Sequence, residues 1–179
     1  MKSICKFILK LIGWKIVVQV ELPYKCVICV APHTSNWDLL LGLVVYAAMG
    51  RKAHFLIKKE WFFFPMSLIF RLLGGIPVDR SRKTSLTDQM AEEYNKRSDF
   101  QVAITPEATR KRNPEWKKGF YYIALAANVP IVVAALDYGR KVADFKKVII
   151  PSGDVDADLA EIKACYVGVT ARHPKNFAL

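Results

Sequence analysis

With 179 residues the chain is sized for one domain with a sizeable core, and its four cysteines are too few to staple a chain of that length. Lysine and arginine total 27 against 16 acidic residues, a net charge of +11, and the pI is about 9.6 with a mean hydropathy of +0.16. A basic surface on an apolar chain fits an anionic membrane surface better than nucleic acid, for which no helix-turn-helix, zinc or RNP-type signature is present.

The first predicted element is a helix over residues 2–13. Lys2, Lys6 and Lys10 recur at i, i+4 and i+8, with Ile4, Phe7, Ile8, Leu11 and Ile12 on the other side. Lysines interrupt the apolar run that a signal peptide needs. Two readings stand: a basic amphipathic helix in the headgroup region, or a helix packed on its own domain. In the first, each lysine contributes about 1 kcal/mol near an anionic surface. Residues 1–14 are therefore set apart as a membrane-associating helix from a domain over residues 15–179.

Strand-like and helix-like runs then alternate. Strands are predicted over 15–22 and 26–31, a helix over 37–49, a strand over 53–57, a helix over 65–73 and a strand over 76–78. A helix over 85–97, a strand over 101–105, a helix over 116–127, strands over 131–136 and 146–150, and a helix over 156–171 complete the chain. This order implies an α/β fold: a single domain with a mostly parallel, twisted central sheet flanked by helices, plus the N-terminal basic helix. The apolar strands imply burial on both faces. Cys26 and Cys29 fall three apart in one strand, hence on opposite faces, and read as buried thiols of a reducing compartment rather than metal ligands. No run reaches the roughly 18–20 apolar residues of a membrane span. Residues 61–66, Trp-Phe-Phe-Phe-Pro-Met, are too apolar for a solvated loop and belong either to the core or to a second membrane-contacting patch. His54 reads as a packed or surface histidine.

Chemistry concentrates at predicted strand ends. His33 and Asp38 are five apart, about 140° around a helix, so they meet only if His33 lies in the turn and Asp38 in the first helical turn. There a carboxylate fixes the imidazole tautomer and leaves the other nitrogen to take a proton. Ser35-x-x-Asp38 also fits an ordinary capping-box start. Three further segments carry residues a sheet does not require: Gly75-Ile76-Pro77-Val78-Asp79-Arg80, Thr105-Pro106-Glu107-Ala108-Thr109-Arg110, and Val129-Pro130-Ile131-Val132.

Those four blocks, in that order over about residues 20–140, resemble the phospholipid/glycerol acyltransferase family, whose best-known members are the 1-acylglycerol-3-phosphate acyltransferases. Lys58-x-Glu60 and Lys118-Gly119-Phe120 fit the same pattern. The resemblance implies an O-acyltransferase that moves a fatty acyl group from acyl-CoA or an acyl carrier protein to a lysophospholipid hydroxyl, with 1-acylglycerol 3-phosphate the first acceptor to expect. Acylation of a lyso-aminolipid or glycolipid and non-catalytic lipid binding are the alternatives. His33 would be the general base and Asp38 its partner, with backbone amides near the Asp38 helix start as oxyanion donors. Arg80 and Arg110 would hold the acceptor phosphate, or else form ion pairs with Asp79 and Glu107. Glu107, Thr109 and Lys58 would complete the substrate site, Glu107 either touching substrate or holding Arg110 or its loop. No metal or bound cofactor is implied. The expected location is peripheral, on the cytoplasmic face of the cell membrane. Ala108 stands where the family has glycine; if that position needs a positive φ or a close approach, alanine strains or narrows it.

Overall fold

The apolar runs pair into one sheet, with the longest of them in its middle. The computed structural model describes residues 1–79 and 85–179. Its strands are β1 (Lys15–Val18), β2 (Lys25–Ala31), β3 (Ala53–Lys58), β4 (Gly75–Val78), β5 (Phe100–Ile104), β6 (Ile131–Asp137) and β7 (Val142–Ile149). They lie in the order β1-β7-β6-β2-β5-β3-β4. All neighbours are parallel except β6 and β7, which form an antiparallel hairpin. The helices are α1 (Lys2–Leu11), α2 (Trp37–Met49), α3 (Met66–Leu73), α4 (Leu86–Asn95), α5 (Gly119–Ala126) and α6 (Val155–Ala164). Local chemistry sets several ends. Ser85 and Asp88 form a reciprocal capping box at the start of α4, and α2 stops at Gly50 in the left-handed region.

The strand period of two splits the core. Val27, Cys29 and Ala31 of β2 pack with Met90, Tyr94, Phe120, Ile123 and Ile162, the side of α4, α5 and α6. Cys26 and Ile28 pack with Leu9, Leu41 and Val45, the side of α1 and α2. The two cysteines thus face opposite ways, as expected, and burial pushes both thiols up to about 12. The deepest phenols are hydrogen-bonded: Tyr94 donates to Cys26 O at 2.7 Å and Tyr166 to Cys29 O at 2.6 Å, so neither leaves a buried donor unpaired. His54 is packed, its ring 4.7 Å from that of Phe100.

Three expectations are corrected. Every residue of β6 is buried, but β1 at the sheet edge is mostly exposed, because an edge strand has one neighbour and little cover. The hairpin starts β7 at Val142 instead of 146, since pairing begins directly opposite Asp137. The last helix ends at Ala164 rather than 171. Tyr166 and Val169 stay in the core through a turn that includes Gly168 at φ +78°.

α1 divides into stripes. Leu9 is buried against the domain, whereas Ile4, Phe7 and Leu11 are exposed. Trp61, Phe63, Phe64, Leu68 and Leu72 are exposed as well, so the segment opening α3 is surface and not core. α3 ends at Gly74, φ +96°, where a Cβ would stand 2.6 Å from Ala53 O. Gly74→Ala should therefore destabilise the fold by about 1–3 kcal/mol and lower Tm in thermal unfolding. Gly42→Ala is the control: it adds a Cβ with nothing within 4 Å and should leave Tm unchanged or slightly raised.

Candidate active site

β2 and β5 are adjacent parallel strands, so their carboxyl ends reach the same edge of the sheet. That alone brings the loop carrying His33 beside the loop carrying Glu107, 74 positions later. In open α/β sheets this edge is where ligands bind.

His33 Nδ1 lies 3.2 Å from Asp38 Oδ2. The same oxygen accepts the backbone N–H groups of Thr34 and Ser35, each at 2.8 Å. The other oxygen, Oδ1, accepts the Tyr138 hydroxyl at 2.6 Å. The Asp38 side chain is 2% exposed and that of His33 21%, so the carboxylate is sealed while the imidazole stays open. Burial alone would raise the Asp38 carboxyl. The hydrogen bonds from His33, Tyr138 and the Ser35 amide outweigh it and hold the group below the usual carboxylate range. With Nδ1 committed to a carboxylate, Nε2 is the nitrogen left to take a proton.

The capping pattern is present in altered form. Ser35 Oγ accepts the Trp37 N–H at 3.2 Å, and Asp38 reaches back to the Ser35 amide. The N–H of Asp38 bonds Ser35 O at 3.3 Å. The amides of Thr34, Ser35, Trp37 and Asp38 are thus all bonded within the loop itself.

Glu107 is 1% exposed. Both its oxygens accept the His33 N–H, at 2.9 and 3.2 Å, and Asn113 Nδ2 donates to its carbonyl at 3.0 Å. Of the roles open to it, Glu107 occupies that of holding a loop, and the loop is that of His33. Burial pushes its carboxyl up to about 7. Ala108 has φ +54°, the conformation that glycine adopts freely, and its exposed side chain narrows nothing packed. Thr109 Oγ1 accepts the Lys111 N–H at 3.2 Å. Arg110 is exposed and Nη1 donates to Asn36 Oδ1, so its partner is the His33 loop rather than Glu107. Lys58 is exposed at the end of β3. Asp79 pairs with Lys59 at 2.9 Å. Arg80 lies outside the described residues.

Two residues near the dyad have no counterpart in the sequence pattern. Tyr138 directly follows β6. Arg172 places its guanidinium 5.5 Å from the Trp37 ring and 6.0 Å from that of Tyr138. Beside it, the His173 N–H donates to Thr34 Oγ1 at 3.2 Å. A tyrosine one position beyond a fully buried strand was the only available signal, and it is a weak one.

A cavity of about 300 Å³ opens at His33 and Asp38 and follows α2 past Leu39, Gly42 and Tyr46 to Ala53. From Asp38 to Tyr46 the helix rises about 12 Å. A larger cleft of about 490 Å³ lies against β4 and α4. It contains neither dyad residue, and ion-paired Glu93 and Arg97 line it. No cluster of His, Cys, Asp and Glu among the described residues could hold a metal ion.

A polarised histidine at the mouth of an apolar cavity, on a mostly parallel sheet, agrees with the family that the sequence resembles. The family described as Acyltransferase matches residues 16–137, and the chain belongs to it. Human 1-acyl-sn-glycerol-3-phosphate acyltransferase beta is 32% identical over 142 residues, 76% of this chain and 50% of the human protein. The chain thus spans about half the length of that relative. The crystal structure of the 1-acyl-sn-glycerophosphate acyltransferase of Thermotoga maritima has the same fold, with a TM-score of 0.57 at 17% identity over 95% of this chain and 80% of that one.

A buried carboxyl raised to about 7 binds its proton more tightly folded than unfolded. The stability this contributes is complete below about pH 4.5, the unfolded value, and fades as pH rises through 7. Relative to Glu107→Gln, the wild-type protein should lose on the order of 2 kcal/mol between pH 5 and 8, measured by urea unfolding at each pH.

Proposed function

We propose that this protein is an O-acyltransferase that moves a fatty acyl group from an acyl thioester, acyl-CoA or an acyl carrier protein, to the free hydroxyl of 1-acylglycerol 3-phosphate. The observation that carries the reading is the His33–Asp38 pair at the mouth of the apolar cavity. The names of the human and Thermotoga maritima proteins support the acceptor.

The acyl chain lies in the cavity, where burial of its methylenes contributes about 0.8 kcal/mol each, and the thioester carbonyl remains at the mouth. His33 Nε2 takes the proton of the acceptor hydroxyl as its oxygen attacks the carbonyl carbon. The imidazolium that forms faces the Asp38 carboxylate. Collapse of the tetrahedral adduct breaks the C–S bond, and the proton passes from His33 to the leaving thiolate. No covalent enzyme intermediate is needed. That agrees with Cys26 and Cys29, the thiols behind this edge, being fully buried and raised. Arg110, tied to Asn36 three residues from His33, offers the acceptor phosphate a planar fork of donors. Thr109 and Lys58 belong to the same substrate surface in this reading, Glu107 supports it from behind, and Arg80 is assigned to the acceptor phosphate from the family's sequence pattern alone.

α1 would hold the enzyme on an anionic membrane surface, on the cytoplasmic side, with residues 1–14 as the contact and 15–179 as the catalytic domain. No described helix is long and apolar enough to cross a membrane, and the exposed stripe of Ile4, Phe7 and Leu11 lies beside Lys2, Lys6 and Lys10.

In a thiol-release assay with acyl-CoA and 1-acylglycerol 3-phosphate, His33→Ala or Asp38→Ala should reduce kcat by roughly 10²–10⁴. His33→Ala should leave the unfolding curve nearly in place, whereas Asp38→Ala strands the Thr34, Ser35 and Tyr138 donors and lowers Tm while the protein still folds. Full activity in either would remove the mechanism. In the same assay Arg110→Ala should raise the acceptor KM roughly 10-fold or more; an unchanged KM would point to a lyso-aminolipid or glycolipid acceptor. Co-sedimentation tests the surface contact: the protein should pellet with phosphatidylglycerol vesicles and much less with phosphatidylcholine ones. The Phe7→Glu, Leu11→Glu double variant should stay in solution with both.

A further inference from the structure

We propose that Tyr138 is a positioning residue for the dyad, fixing the Asp38 carboxylate by one oxygen so that the other is committed to His33. This rests on the acyl-transfer reading of His33 and Asp38 given above.

A carboxylate has four acceptor sites on two oxygens. Oδ2 of Asp38 is occupied by the Thr34 and Ser35 amides and faces His33 Nδ1. Oδ1 accepts from Tyr138 at 2.6 Å, the short distance of a hydroxyl on an ionised acceptor. With the Asp38 side chain 2% exposed, loss of that donor leaves half a charged group buried with poor access to water.

Tyr138 is itself fixed. It follows β6, its N–H donates to Thr170 O at 2.8 Å, and its ring meets Trp14 edge-on at 5.0 Å between centroids. Burial, with the hydrogen bond to Asp38 and its charge, pushes the phenol well above its ordinary value, so it remains a donor at any working pH. The chemical consequence concerns the proton. A carboxylate relieved of part of its charge is a weaker base, so the proton taken from the acceptor stays on His33, ready for the leaving thiolate. The fixed carboxylate also cannot rotate away from Nδ1 between turnovers.

Other charged groups surround this network. Glu107, from the loop after β5, bonds the His33 amide. Arg172, from the C-terminal segment, lies over the Tyr138 ring, with His173 next to it. Asp137 and Arg140 flank Tyr138 in sequence and pair with each other at 2.6 Å, and Lys141 Nζ donates to Ile12 O at 3.1 Å. A Tyr138→Phe comparison leaves all of these in place apart from Arg172, which also interacts with the hydroxyl that is removed; the titration of Glu107 is common to both proteins.

Tyr138→Phe keeps the ring on Trp14 and removes only the hydroxyl. It should lower kcat roughly 10- to 100-fold, the loss of one hydrogen bond to a charged group. KM for donor and acceptor should stay within about twofold, while Tm falls because a buried carboxylate oxygen loses its donor. A carboxylate short of one donor holds an imidazolium more tightly, so the acid limb of kcat/KM should move to higher pH. A stronger donor, 3-fluorotyrosine at position 138, should move the limb the other way. A merely structural tyrosine would lower Tm in the same way but leave the limb in place. If His33→Ala is inactive while Tyr138→Phe matches the wild type in kcat and acid limb, the proposal falls and the dyad stands. Activity retained by His33→Ala overturns both.

Discussion

One buried charge organises this molecule. The Asp38 carboxylate is removed from water, and an ion so placed persists only if donors converge on it. Here they come from His33, two amides of its own loop, and Tyr138 across the sheet. Each donor needs its own support. Glu107 holds the His33 amide, His173 holds Thr34, and Trp14 backs Tyr138. The result is a loop of non-regular backbone pinned by side chains and backbone from three later segments, presenting one open imidazole.

The sheet makes this arrangement economical. Parallel strands send all their carboxyl ends to one edge, so loops distant in sequence become neighbours with no special device. The same geometry places the cavity between α2 and the sheet, with Gly42 leaving its width unfilled. Polar chemistry at the strand ends and an apolar channel along the helix are two products of one packing scheme.

What the sequence makes legible follows from this physics. His33, Asp38 and Glu107 stand out because polar residues at the ends of apolar runs have no place in a core. The bounds of α2 are readable because Pro32 and Gly50 punctuate them. Tyr138 is not readable, since a tyrosine after a strand looks like any amphipathic residue until the chain closes over Asp38. Nor is the end of α6. Leu159, Ile162, Tyr166 and Val169 keep helical spacing while the backbone turns at Gly168, so the core is filled by the pattern without the helix. In α1 the spacing shows one apolar side, but it does not separate Leu9, which anchors the helix, from Phe7 and Leu11, which face outward. Ala108 is a different case: the left-handed conformation there is real, and alanine adopts it where glycine would do so without strain.

The contacts that close the His33 loop have a temporal meaning. Glu107, Tyr138 and His173 lie 74, 100 and 139 positions downstream of the residues they hold. During synthesis the loop therefore emerges long before its supports, and each later segment adds a further constraint. A chain paused or truncated before residue 173 would present the imidazole without its full frame. The frame around His33 is in this sense completed only once the segment carrying His173 has been made.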